Sequence, residues 1–221
     1  MKILITGTSR GIGLATTKKF LEKGYEVIGI DLLPSSINHE KYRHFVGDIA
    51  KKEQLPELDN VDYIFNNAGL QNSSDDIQNN LVGSINVTEK YAFQKDIKSV
   101  LFNASSSAHS GFEFPEYVAS KAGLIGYMKN VAVRLAKYGA TANSISLGGV
   151  ITESNKVVME DEKSWKQIMD ATPLKKWASE NEVAEWVYFL LVSNKSATGI
   201  DVLIDNGEFN LNSTFVWPDY K

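Results

Sequence analysis

The 221-residue chain contains no cysteine. That excludes disulfides, thiolate nucleophiles and cysteine-based zinc sites. Histidine is scarce: His39, His44 and His109 are scattered without metal-ligand spacing. They are expected at surface or loop positions, and no metal is expected. No apolar run is long enough to span a bilayer. Lys2 is followed at once by the strand-like Ile3-Leu4-Ile5 rather than by a leader, so a cytoplasmic protein with no membrane partner is expected. Basic runs are missing too. The formal net charge is −4, which speaks against nucleic acid as a partner. The acidic run Glu160-Asp161-Glu162 reads as a solvated face. There is no internal repeat and no low-complexity linker, so residues 1–221 read as one domain.

What is present is alternation. Strand-like segments are predicted at 2–6, 25–31, 43–47, 61–66, 99–103, 141–147 and 200–204. Helical segments are predicted at 12–23, 76–94, 116–138 and 181–192. Short apolar strands alternating with helices imply a mostly parallel sheet covered on both faces. The expected fold class is α/β: a Rossmann-type, doubly wound sheet in a three-layer α/β/α sandwich.

The first strand runs into Thr6-Gly7-Thr8-Ser9-Arg10-Gly11-Ile12-Gly13 and then a helix. Glycines there let the backbone turn sharply and approach a pyrophosphate, with the helix N-terminus supplying N–H groups. Asp31 falls at the end of the second strand, where a carboxylate accepts from the adenine-ribose hydroxyls. The same carboxylate would repel a 2′-phosphate, so NAD is expected over NADP. Arg10 is the counterweight: it could reach toward such a phosphate, stack over the adenine or pair with Asp31.

On the long helix, Tyr117, Lys121, Ile125, Met128, Ala132 and Leu135 form one stripe. Its lower part is apolar and must face the core. Its upper part is a phenol and an amine. A buried lysine needs a partner or a task, so the pair is expected where the buried face opens into a cleft. Carbonyl reduction requires a proton delivered to oxygen as hydride reaches carbon. A free phenol has a pKa near ~10, and a neighbouring ammonium would lower it.

Together and in order, these segments resemble the short-chain dehydrogenase/reductase family, over nearly the whole chain. Asp48-Ile49 resembles its adenine-contacting pair. Asn66-Asn67-Ala68-Gly69 matches its N-N-A-G motif, and Asn80-Leu81-Val82-Gly83 its segment with the catalytic Asn. Asn103-Ala104-Ser105-Ser106 is similar to the strand end with the catalytic Ser. Tyr117 and Lys121 match Y-x-x-x-K, residues 143–152 the nicotinamide segment, and residues 196–207 the closing strand. The resemblance implies Tyr117 as acid/base, with Ser106, flanked by Ser105 and Ser107, orienting the substrate oxygen. It implies Lys121 lowering the phenol pKa and holding the ribose, and Asn80 maintaining a water-linked proton path. It implies cofactor contacts from Gly7, Ser9, Arg10, Gly11, Ile12, Gly13, Asp31, Leu32, Asp48, Ile49, Asn67, Ala68, Gly69, Tyr117, Lys121, Val150 and Thr152. A homodimer or homotetramer formed through the helices bearing Asn80 and Tyr117 is also implied.

Some features depart from the family pattern. Leu147 replaces the usual proline before Gly148, and Asp205-Asn206-Gly207 replaces D-G-G. The stretches 69–80, 106–117 and 50–60 are short. These trims shrink a rim near the site. The expected substrate is a small or medium alcohol or ketone under a lid at about 153–177, with Phe112, Phe114, Trp165 and Met169 either lining the pocket or simply packing. The tail, 208–221, carries Phe209, Phe215, Trp217 and Tyr220 and is expected to dock on the body or a neighbouring subunit. A non-catalytic nucleotide-binding regulator and a sugar-nucleotide-modifying relative are the alternatives. The first would be expected to have lost its active-site groups, and the second needs a larger C-terminal domain.

Overall fold

The computed structural model describes residues 1–211. Phe215, Trp217 and Tyr220, and with them most of the expected tail, lie outside the described residues. Among the described residues there are nine strands: β1 (Lys2–Thr6), β2 (Glu26–Asp31), β3 (Tyr42–Val46), β4 (Tyr63–Asn66), β5 (Ser99–Asn103), β6 (Thr141–Leu147), β7 (Val150–Ile151), β8 (Ala178–Ser179) and β9 (Asp201–Ile204). Seven α-helices accompany them: α1 (Gly11–Glu22), α2 (Gly83–Tyr91), α3 (Ser107–Ser110), α4 (Pro115–Leu135), α5 (Lys156–Met159), α6 (Glu162–Ala171) and α7 (Glu180–Tyr188).

The main sheet is parallel throughout, in the order β3-β2-β1-β4-β5-β6-β9. Its strands are apolar on both faces, and alternate residues enter two separate cores. Leu4, Ile28, Ile64, Val100 and Phe102 pack beneath Val87 of α2 and Leu124, Met128 and Leu135 of α4. Ile3, Ile5, Phe65, Leu101 and Ile145 pack beneath Phe20 of α1 and Val183 and Val187 of α7. Each such buried side chain contributes roughly 1.5–3 kcal/mol. The strand order reverses between β1 and β4. The crevice beyond their carboxyl ends is where a doubly wound sheet binds ligands.

Several elements differ in detail from the sequence expectation. The segment expected as one helix from 76 begins as a wide π-turn, Ile77–Val82, before α2. β7 and β8 form a small parallel pair that no period-2 pattern announced, being two residues each. Ile125 of the α4 stripe is only partly buried, because the core face is centred on Leu124, Met128 and Val131. His44 lies within β3, with Nε2 2.9 Å from the Leu33 carbonyl and Nδ1 2.9 Å from the Tyr42 hydroxyl. His109 sits on α3, 2.7 Å from Asp201. Asp161 caps α6 by accepting from Ser164 N–H at 2.7 Å, so the acidic run has a local task.

Helix α1 can leave the turn only because Gly13 has no side chain. A Cβ there would lie 1.8 Å from the Gly7 carbonyl oxygen. By contrast a Cβ on Gly126 of α4 would meet nothing within 4 Å. Gly13→Ala is therefore expected to cost at least about 2 kcal/mol. Gly126→Ala is expected to stabilise by about 0.5–1 kcal/mol. Urea unfolding of the two variants checks this; equal effects would contradict the packing described.

Candidate active site

Thr6 ties the two crevice loops together. Its hydroxyl accepts from the N–H groups of Asn67 and Ala68, both at 3.0 Å. Asn67 Nδ2 donates back to the carbonyls of Thr6 and Gly7, at 3.0 and 3.3 Å. Gly7 takes φ +75°, and its N–H donates to Ile30 at 2.8 Å. Helix α1 starts with no side-chain cap and no acidic residue in its first turn. Its leading N–H groups thus point into the crevice as an anion cradle.

At the adenine end, Asp31 Oδ2 accepts from Ser9 N–H and Oδ1 from Leu33 N–H, both at 2.9 Å. The Ser9 hydroxyl donates to the Leu33 carbonyl at 3.2 Å. Asp48 holds its own turn by accepting from Ala50 N–H at 2.9 Å. Ile49 packs against Gly83, which opens α2.

At the other end, Lys121 is 4 % exposed, and its Nζ donates to the Asn103 carbonyl at 2.7 Å. Asn103 Nδ2 donates to Asn67 Oδ1 at 3.1 Å, linking this end to the cradle. Burial pushes the Lys121 ammonium down to about 8, opposed by the carboxylates of Asp76 and Glu113. The Tyr117 ring faces the ammonium at 5.5 Å. Burial pushes its phenol up to about 12. Ser105 counters that effect, while the Glu113 and Asp76 carboxylates add to it. The lysine was expected to lower the phenol pKa. Desolvation outweighs that effect.

A cleft of about 580 Å³ joins these parts. Gly7, Arg10, Gly11, Ile12, Asp31, Leu32, Asp48, Ile49, Asn67, Ala68, Gly69, Tyr117, Lys121 and Thr152 all line it. Ser9, Gly13 and Val150 do not. Ser9 is turned into the loop contacts above, and Gly13 is the packing glycine. The Val150 side chain belongs to the core beneath α7, and its carbonyl accepts from Asn155 at 2.8 Å. Asn80 is fully buried and brackets Leu70. Its Oδ1 accepts from Leu70 N–H at 2.7 Å, and its Nδ2 donates to Leu70 O at 2.9 Å and Ser120 Oγ at 3.0 Å.

The three serines after β5 have different surroundings. Ser105 Oγ accepts from Ser107 N–H at 3.2 Å and from Ser107 Oγ at 2.9 Å, and it is Ser105 that works against burial at the Tyr117 phenol. The Ser106 hydroxyl is buried with no hydrogen-bond partner among the described residues. β5 ends at Asn103, and the backbone has already turned helical at Ser106, φ −58° and ψ −27°, just before α3. Phe112 and Phe114, 68 % and 39 % exposed, lie outside the cleft lining. Trp165 of α6 stacks edge-on against Trp177 at 5.0 Å, and Trp177 donates to Glu208 at 3.1 Å.

Sequence reading missed Leu33, Leu70, Gln71, Asn79, Asn103 and Ser154 as lining residues, and Asp76 and Glu113 as charges acting on the pair. Asn103 was legible as the residue ending β5; Leu70, Gln71, Asp76, Asn79 and Glu113 depend on how the trimmed stretches fold, and Leu33 and Ser154 on the loops after β2 and β7. A larger depression, about 730 Å³, lies at the opposite end of the sheet and contains none of the expected site residues. Among the described residues, no helix is long and apolar enough to cross a membrane, and no group of three or more metal-ligating side chains is present.

Comparison with known proteins agrees with this fold. Residues 1–163 match the family model described as short chain dehydrogenase. The chain is 28 % identical to the 3-oxoacyl-[acyl-carrier-protein] reductase FabG of Staphylococcus epidermidis, over 93 % of this chain and 98 % of that protein. It is 26 % identical to glucose 1-dehydrogenase of Gluconobacter oxydans, over 93 % and 91 %. Among solved structures, a short chain dehydrogenase family protein from Francisella tularensis superposes with a TM-score of 0.84 at 27 % identity, covering 94 % and 98 % of the two chains. 4-Hydroxyisoleucine dehydrogenase complexed with NADH superposes with a TM-score of 0.84 at 26 % identity, covering 96 % and 99 %. The chain belongs to the short-chain dehydrogenase/reductase family, oxidoreductases that work with a nicotinamide cofactor.

Proposed function

We propose that this protein is an NAD-preferring dehydrogenase/reductase that interconverts a small or medium alcohol and its ketone, with Tyr117 as acid/base. One observation carries the proposal. Tyr117 and Lys121 stand one turn apart where α4 enters the cleft, and Lys121 is buried on the Asn103 carbonyl. Burying an ammonium there costs stability and yields no packing that an apolar residue could not supply. The names of the relatives share a hydroxyl or oxo group as the reacting centre. A non-catalytic regulator would not need the pair.

The residues present fit a nicotinamide dinucleotide: an uncapped helix start, backbone donors at a glycine turn, and a carboxylate at the adenine end. When bound, that group supplies or accepts the hydride. Tyr117 Oη moves the proton at the substrate oxygen. Buried, it holds its proton at neutral pH and is set to act as the acid in reduction. For oxidation it must first ionise, which a positive charge nearby favours. The Ser105 hydroxyl shares the position facing the phenol and orients the substrate oxygen. Lys121 Nζ keeps two donor positions beyond the one given to Asn103, suited to ribose hydroxyls. Asn80 fixes Leu70 and Ser120 around it.

Asp31 supports NAD over NADP. Both its oxygens are oriented by backbone N–H groups, and the Ser9 donors are already spent on Asp31 and Leu33. A 2′-phosphate would meet a fixed carboxylate with few free donors. A homodimer or homotetramer joined through α2 and α4 belongs to the same proposal. Val133 on α4, 77 % exposed, supports an apolar contact there.

Three outcomes are expected. Ser105→Ala lowers kcat by at least ~10-fold, while Ser106→Ala stays within a few-fold of wild type; the reverse order would restore the register expected from sequence. Initial rates with both cofactors give a higher kcat/KM with NADH than with NADPH, and Asp31→Ser narrows the ratio; a wild-type preference for NADPH would refute the Asp31 assignment. Lys121→Met weakens NADH binding yet stabilises the fold. Folded Lys121 titrates near 8 against 10.5 for the free side chain. Between those values the unfolded chain binds more protons, so stability rises with pH; below about 8 the full burial penalty applies. At pH 7 calorimetry should show Tm rising by about 2 °C or more in Lys121→Met. A fall in Tm would mean the ammonium is a structural asset.

A further inference from the structure

Asp76 is 1 % exposed, yet it makes no salt bridge within 4 Å among the described residues. It accepts from Asn72 N–H at 3.0 Å, Ser73 N–H at 3.1 Å and Ser73 Oγ at 2.6 Å. These bonds close the short turn after Gly69. A buried ionised carboxylate is costly without a cation, and a serine or asparagine could close such a turn more cheaply. Its position suggests why a carboxylate stands there. Asp76 lies about one turn before Asn80, on the segment that packs against α4. Asn80 in turn touches Ser120, the neighbour of Lys121. At Gly69 the two sides nearly meet: a Cβ there would lie 2.8 Å from Asn80 Oδ1 and 3.5 Å from Lys121 Nζ.

We propose that Asp76 is a positioning residue of the proton-transfer site, its buried negative charge holding Lys121 in the cationic form and setting the pH window in which the Tyr117–Lys121 pair works. The proposal rests on reading those two residues as the reacting pair. Among the described residues the charges around them are few. Asp76, on the trimmed loop, acts on Lys121 and Tyr117 through its charge, without an ion pair or hydrogen bond to either. Glu113 reaches both from the segment before α4, where it accepts from Gln71 at 3.1 Å. Glu208 from the C-terminal turn faces Glu113. Asp76 raises the proton affinity of both members of the pair. Without it, Lys121 loses its proton at lower pH and Tyr117 ionises at lower pH. Both limbs of the activity profile then move to lower pH. Loss of a merely structural turn would reduce activity without moving either limb.

The decisive experiment reads Lys121 directly and needs no substrate. The lysine side-chain ¹³Cε signals of the full chain are titrated by NMR, with Lys121 assigned by its disappearance in Lys121→Met. The expected result is a midpoint at least about 0.5 pH unit lower in Asp76→Asn. Ser73→Ala, which loosens the same turn and keeps the charge, should retain the wild-type midpoint. Asp76→Ser supplies a second neutral variant should the first not fold. An unchanged midpoint in either neutral variant, or an equal fall in Ser73→Ala, would overturn the role. Failure of the proposed function would show separately, as absent turnover in the wild type.

Discussion

A lysine ammonium lies among the carboxyl ends of the central strands, held by one hydrogen bond from Lys121 to the Asn103 carbonyl. Desolvation works against that charge. The surrounding structure makes its position tolerable and useful. Asn103 is fixed to Asn67, Asn67 to Thr6 and Gly7, and Gly7 to Ile30. A continuous set of hydrogen bonds thus runs from the charge to the glycine turn and on to the strand that ends in Asp31. These links are buried or half-buried, so they are mutually dependent. The sheet contributes the register that brings the loop ends to one crevice.

The trimmed rim is handled by local polar closure rather than by extra chain. Asn80 brackets Leu70 from both sides. Asp76 closes the turn at Asn72 and Ser73. The wide turn at Ile77–Val82 absorbs the change in direction before α2 becomes regular. Across the opening, Gln71 reaches Glu113. The alignment with the Staphylococcus epidermidis relative runs over 245 positions, though this chain has 221 residues, so that relative carries residues with no counterpart here.

Much of this was legible in the sequence because it rests on short-range rules. The strands were visible as apolar runs, and the glycine turn and Tyr117–Lys121 as fixed spacings on predictable elements. What escaped depends on side-chain direction and long-range closure. Ser105 and Ser106 are adjacent in sequence, yet Ser105 Oγ accepts from Ser107 while Ser106 Oγ has no hydrogen-bond partner among the described residues. The direction of the Tyr117 shift depends on how dry its surroundings are, which no spacing reveals. Asp76 reads as the first residue of a helix, and only the fold shows its carboxylate turned back onto Asn72 and Ser73. The two-residue strands β7 and β8 are too short to carry a period.

The central claim is that a phenol on α4 moves the proton that accompanies hydride transfer. The most direct measurement follows NADH absorbance with a panel of ketones and alcohols, for the wild type and for Tyr117→Phe, with NADH binding titrated in parallel. The account predicts turnover of at least one panel member by the wild type, a loss of at least ~10²-fold in Tyr117→Phe, and NADH binding retained by both. Equal turnover by the two proteins, or tight NADH binding with no turnover by either, would contradict it.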